Sequence, residues 1–171
     1  MIYFKTPLPC DSTARRFIRR TQERAHLFGA ALLCLDFLPE HQVRVQRTDK
    51  DFIPARCLRY YQNGRTIKVE YTYSLRPMFW RKTKDNGCHI KEYDEFAKDP
   101  EIGTRRNMSW KEAVLCFVAH ETAHMLRDSF PVEANARYGT DYPLIEDEIG
   151  HDELWRELYR ELRVEMLTWH V

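Results

Sequence analysis

A chain of 171 residues, 43% of them hydrophobic, is long enough for one sizeable core and too short for two ordinary domains, so residues 1–171 are read as a single domain. Its 27 basic and 26 acidic side chains leave a formal net charge of +1, which gives no global field to gather nucleic acid or anionic lipid, and a nucleic-acid partner is not favoured. The longest apolar run, Phe28 to Leu35, is far below the ~20 residues that cross a bilayer, which predicts no membrane partner.

The residues Met1-Ile2-Tyr3-Phe4-Lys5 lack the basic-then-apolar build of a secretory signal. The five cysteines (Cys10, Cys34, Cys57, Cys88 and Cys116) are scattered, and no pair has the spacing of a zinc knuckle or ribbon. Both points predict a reducing, cytoplasmic compartment. Cys34 and Cys116 fall in apolar helical stretches, where a thiol packs as a small core side chain.

The first predicted element is a helix from about Ser12 to Phe37, capped by Asp11 or Ser12 and stopped by Pro39. Phe17, Ile18, Ala25, Leu27, Phe28, Ala31, Leu32 and Leu35 recur along it with helical spacing. Arg15, Arg16, Arg19, Arg20 and Arg24 read as a solvated face rather than a nucleic-acid patch. Strands follow: Val43–Gln46 and Ile67–Tyr71 alternate apolar and polar, and Cys57–Tyr61 leads into Asn63-Gly64, a strong hairpin signal. A further strand is expected at 87–93, after a turn at Asn86-Gly87. Together these predict a three- or four-stranded, mostly antiparallel sheet.

Ser109 followed by Glu112 is a capping box at the head of a helix expected from Trp110 to about Arg127, with Pro131 marking its end. Residues Val132 to Gly150 are read as a loop. A last helix from near Asp152 carries Leu154, Trp155, Leu158, Leu162, Met166 and Leu167 on one side. The order helix, small sheet, helix, loop, helix predicts an α+β fold.

His120-Glu121-Thr122-Ala123-His124 lies in the second of these helices. Histidines four apart project from one face, about a turn from each other, so both can reach a single zinc ion at ~2.0–2.1 Å. Glu121, rotated away from His120 around the helix, is placed to take a proton from a water that zinc acidifies, and then to pass it to a departing amine. The five-residue pattern alone is weak, since it arises by accident. Here residues 117–119, 122, 123, 125 and 126 are all uncharged, which marks the helix as buried and argues against two surface histidines.

A catalytic zinc needs a third protein ligand and an open fourth position. Arg127 and Phe130 stand where a metzincin would have glycine and histidine, which excludes that class. His151, at the start of the last helix with Trp155 to anchor it, is the leading third ligand; Glu133, Asp141, Glu146, Asp147 and Glu148 are rivals. Asp128, four residues after His124, could accept a ligand histidine's other N–H. Arg137, Tyr138 and Tyr142 could stabilise an oxyanion, with nothing in the spacing to select among them. The remaining histidines, His26, His41, His89 and His170, read as structural or exposed.

Ala119–His124 and Gly150-His151-Asp152-Glu153-Leu154-Trp155 together resemble the SprT-like (Spartan-type) zinc metalloproteases, in which a Gly-His-Gly-Pro-Glu-Phe-like segment supplies the third ligand. Asp152 takes the place of the glycine after that histidine, and no C-terminal zinc ribbon can be drawn from the cysteines. The resemblance implies a compact zincin-like domain, one zinc per chain on His120, His124 and His151, Glu121 as general base, and a protein or peptide substrate. Two other readings share these residues: a non-catalytic module whose zinc staples two helices, and a zinc hydrolase of a non-peptide amide.

Overall fold

The structure, a computed structural model, describes residues 9–47, 55–75, 78, 89–90, 98–106, 108–142 and 151–169. Helix α1 spans Asp11–Leu32 and buries Ala14, Ile18, Thr21, Gln22, Ala25, His26, Gly29 and Leu32, a stripe with the three- and four-residue steps of an α-helix. It ends five residues short of Phe37 because Leu33 closes it and Cys34 turns the chain with a left-handed φ of 52°. Cys34 is therefore exposed rather than in the core, whereas Cys116 is fully buried as expected. The N-cap is Cys10, with no side-chain cap; Asp11 lies inside the first turn, where its charge favours the helix dipole.

Strands β1 (Glu40–Gln46), β2 (Ala55–Gln62) and β3 (Arg65–Ser74) form a three-stranded sheet in the order β1-β3-β2. The Asn63-Gly64 hairpin is present, and both residues take positive φ (51° and 75°), as a type I′ turn requires. The sheet is mixed rather than mostly antiparallel: β2 pairs antiparallel with β3, but β1 pairs with it in parallel. The chain reverses between β1 and β2 and again at the hairpin. Two reversals make β3, inserted between them, parallel to β1. Val69, Tyr71 and Tyr73 of β3 are fully buried.

Of the strand expected at 87–93, the described part is β4 (His89–Ile90), which pairs antiparallel with β5 (Arg105–Arg106) in a separate two-stranded ladder. The Asn86-Gly87 turn lies outside the described residues.

Helix α2 (Trp110–Ser129) carries the predicted capping box: Ser109 Oγ accepts from the Glu112 N–H, and Glu112 accepts from the Ser109 N–H. It is enclosed by α1, by β2 and β3, and by the last helix, which explains its uncharged flanks. It packs tightly on α1 at Gly29, where an added Cβ would stand 2.9 Å from Leu126 Cδ1.

Residues 132–138 are not loop. Pro131 opens a short helix, α3 (Pro131–Tyr138), held by buried Ala134 and closed by Gly139 in the left-handed region. Proline at a first helical position has its fixed φ already helical and loses no bonded N–H, so it starts a helix as readily as it stops one. Residues 143–150 lie outside the described residues. Helix α4 (Glu153–Thr168) completes the α+β fold, with Leu154, Trp155, Leu158, Tyr159, Leu162 and Met166 buried. Among the described residues no helix is long and apolar enough to cross a membrane.

Candidate metal centre

His120 and His124 leave α2 toward α4, and His151, just before α4, meets them. Their Nε2 atoms form a near-equilateral triangle: 3.2 Å between His120 and His124, 3.0 Å between His124 and His151, and 3.1 Å between His151 and His120. Each such nitrogen carries either a proton or a lone pair. Two states cannot alternate around three corners, so at least one facing pair is donor against donor or acceptor against acceptor. A cation removes that conflict, because all three nitrogens then present lone pairs to it. Nitrogens sharing one tetrahedral ion at ~2.0–2.1 Å stand about 3.3 Å apart, close to the observed edges. The three histidines form a group that can hold a metal ion.

The two rings on α2 are kept neutral, as metal ligands must be. Burial, and then the neighbouring histidines, hold His120 well below the usual imidazole range; Arg163 adds to this. His124 is pushed down to about 3 by burial, His151, Arg59 and Arg127. Trp155, fully buried on α4, backs the whole cluster, with its ring 4.9 Å from His120, 5.5 Å from His124 and 4.3 Å from His151. Tyr159 stacks on Trp155 at 4.7 Å and also meets His120.

Glu121 is only 5% exposed. Its charge is felt by Cys57 on β2 and by Tyr71 and Tyr73 on β3, which places it on the sheet side of α2 while the ligands face α4. Burial raises its carboxyl to about 8, against the pull of Arg59 from β2. Next to it Thr122 joins a buried polar chain: Gln22 Nε2 donates to Thr122 Oγ1 (2.9 Å), and the Tyr73 hydroxyl donates to Gln22 Oε1.

The other sequence candidates fall elsewhere. Asp128 forms ion pairs with Arg59 and, at 2.7 Å, with Arg127. Arg137 pairs with Glu161 of α4 (3.1 Å), Tyr138 packs half-buried against the core, and Tyr142 is tied through its backbone to Asn135. Of the rival ligands, Glu133 and Asp141 are exposed, and 146–148 lie outside the described residues. His26 is buried between Tyr71 and the Pro39 carbonyl, and His41 stacks on it at 4.3 Å.

Sequence reasoning passed over Arg59, Arg127, Tyr159 and Arg163. Arg163 carried a signal: it interrupts the apolar stripe of α4, and there it donates to the carbonyls of Ile102 (2.5 Å) and Gly103 (2.9 Å). No family model matches this sequence, and neither the curated proteins nor the solved structures compared with it give a match.

Proposed function

We propose that the chain is a zinc metallopeptidase, with one zinc ion held by His120, His124 and His151 and with Glu121 as general base. The observation that carries this reading is the convergence of three Nε2 atoms, with the residue that follows the first ligand in the chain a buried carboxylate. Three histidines are the number a catalytic zinc site uses when it keeps one position open; a stapling site is normally closed by four protein ligands. Zinc, when bound there, acidifies a water and polarises a carbonyl oxygen.

The protein's own part is proton transfer and orientation. Glu121, made more basic by its burial, accepts the proton of the attacking water and delivers it to the amine that leaves. Trp155 fixes the three rings and keeps solvent from their inner side. An extended peptide needs an edge strand beside the active helix. β2 meets that need better than residues 87–93, since it edges the three-stranded sheet and lies against α2. The choice of a peptide over another amide rests on the SprT-like resemblance at residues 119–124 and 150–155.

The test is Glu121→Gln, assayed on an unfolded protein substrate with zinc content measured alongside. The variant is expected to keep its zinc and to lose about 10²–10⁴-fold in rate, the usual worth of a general base. A zinc-loaded variant that cleaves like the parent would remove Glu121 from the mechanism.

A further inference from the structure

Arg127 and Asp128 follow His124 by three and four residues, so they leave α2 on the histidine side, one turn further on. Arg127 donates through Nε (3.0 Å) and Nη2 (2.6 Å) to Asp152 Oδ2, and through Nη1 (2.7 Å) to Asp128 Oδ1. The other oxygen of Asp128 pairs with Arg59 of β2. The other oxygen of Asp152 accepts the Trp155 N–H at 2.9 Å and so caps α4. Charges thus alternate along a row, Arg59, Asp128, Arg127, Asp152, that joins β2, α2 and α4. The side chains of Asp128, Arg127 and Asp152 are 11%, 10% and 7% exposed.

Buried ion pairs return little net stability against well-packed apolar side chains, so stability alone does not account for this row. Its placement does. Asp152 is bonded to His151 in the chain, and its carboxylate is fixed to α2 one turn beyond His124. We propose that Arg127 and Asp152 are positioning residues that deliver His151 to the other two ligands before a metal arrives. This rests on the zinc reading above. His124 and His151 are 27 residues apart in sequence. With the row in place, the entropy of bringing them together is spent during folding and not during metal binding.

The experiment compares zinc dissociation constants, by competition with a chromophoric chelator, for the parent, Asp152→Asn, and the double variant Arg127→Gln with Asp152→Asn. Asparagine caps a helix as well as aspartate does, so the first variant keeps the start of α4 while its amide NH2 replaces the oxygen that accepts from Arg127, removing both the charge and those two hydrogen bonds. The double variant guards against misfolding by leaving Arg127 no unpaired charge. Asp99→Asn, which breaks an ion pair to Arg160 further along α4, controls for general destabilisation.

Both Asp152 variants are expected to bind zinc about 10–100-fold more weakly, as when partners of metal ligands are removed. Their cobalt-substituted forms should show a changed visible spectrum, because a displaced histidine alters the ligand field. Asp99→Asn should match the parent in both. Parent-like affinity and spectrum in both Asp152 variants would overturn the positioning role and leave the zinc site standing. A parent that takes up no zinc would overturn the site itself.

Discussion

Glu121 sits in a position that is costly without a metal. Burial holds its carboxyl at about 8, so in the metal-free protein it stays protonated where the unfolded chain, with an ordinary carboxyl, has already ionised. Below the unfolded value both states are protonated and nothing is gained or lost. Between about 4.5 and 8 the unfolded state holds fewer protons, so stability falls as pH rises, by up to ~1.4 kcal/mol per pH unit. Glutamine has no such penalty. Glu121→Gln is therefore expected to melt like the parent near pH 4 and to be more stable by a few kcal/mol near pH 8, both without metal. Melting curves with chelator present would show this; a gap that does not widen with pH would mean that Glu121 is ionised and solvated. The sequence placed His120, Glu121 and His124 correctly on one helix, because four-residue spacing is a local property. It was silent on Arg59, whose approach to Glu121 depends on how β2 lies against α2.

At the scale of elements, α2 and α4 build the site between them. The tryptophan that anchors α4 is also the common backing of all three imidazoles. Trp155→Ala is expected to cost about 3–5 kcal/mol, the usual range for deleting a fully buried large aromatic side chain. Because the rings lose their support, zinc affinity should drop with it. Denaturant titration and a zinc competition assay test both parts; a cost under ~1 kcal/mol would place Trp155 outside the packed core.

Elements with strong local signals are legible in the sequence. The capping box at Ser109 and Glu112, the Asn63-Gly64 hairpin and the apolar stripe of α4 each came out as expected. The failures came where one residue serves two local purposes. Pro131 carries the local signal of a helix stop and is the first residue of α3; Cys34 continues the apolar pattern of α1 and lies beyond its end.

For the whole molecule, the α+β class followed from element order, but the strand arrangement did not. Parallel pairing of β1 with β3 depends on where β3 is inserted, which no local pattern records. Long-range placement also joins His151 to the two histidines of α2, a meeting for which the sequence favours His151 while leaving Glu133, Asp141, Glu146, Asp147 and Glu148 as rivals. The packing of α4 on α2 brings His151 to within 3.0 Å of His124, and the polar row from Arg59 to Asp152 ties these two helices to β2.

The metal centre itself is tested by zinc content, measured by elemental analysis on protein purified without chelator. The parent should carry one zinc per chain, and His120→Ala, His124→Ala and His151→Ala should each carry much less. A parent that neither holds zinc nor takes it up on titration would contradict the account, and a His151→Ala variant with the parent's zinc would move the third ligand elsewhere.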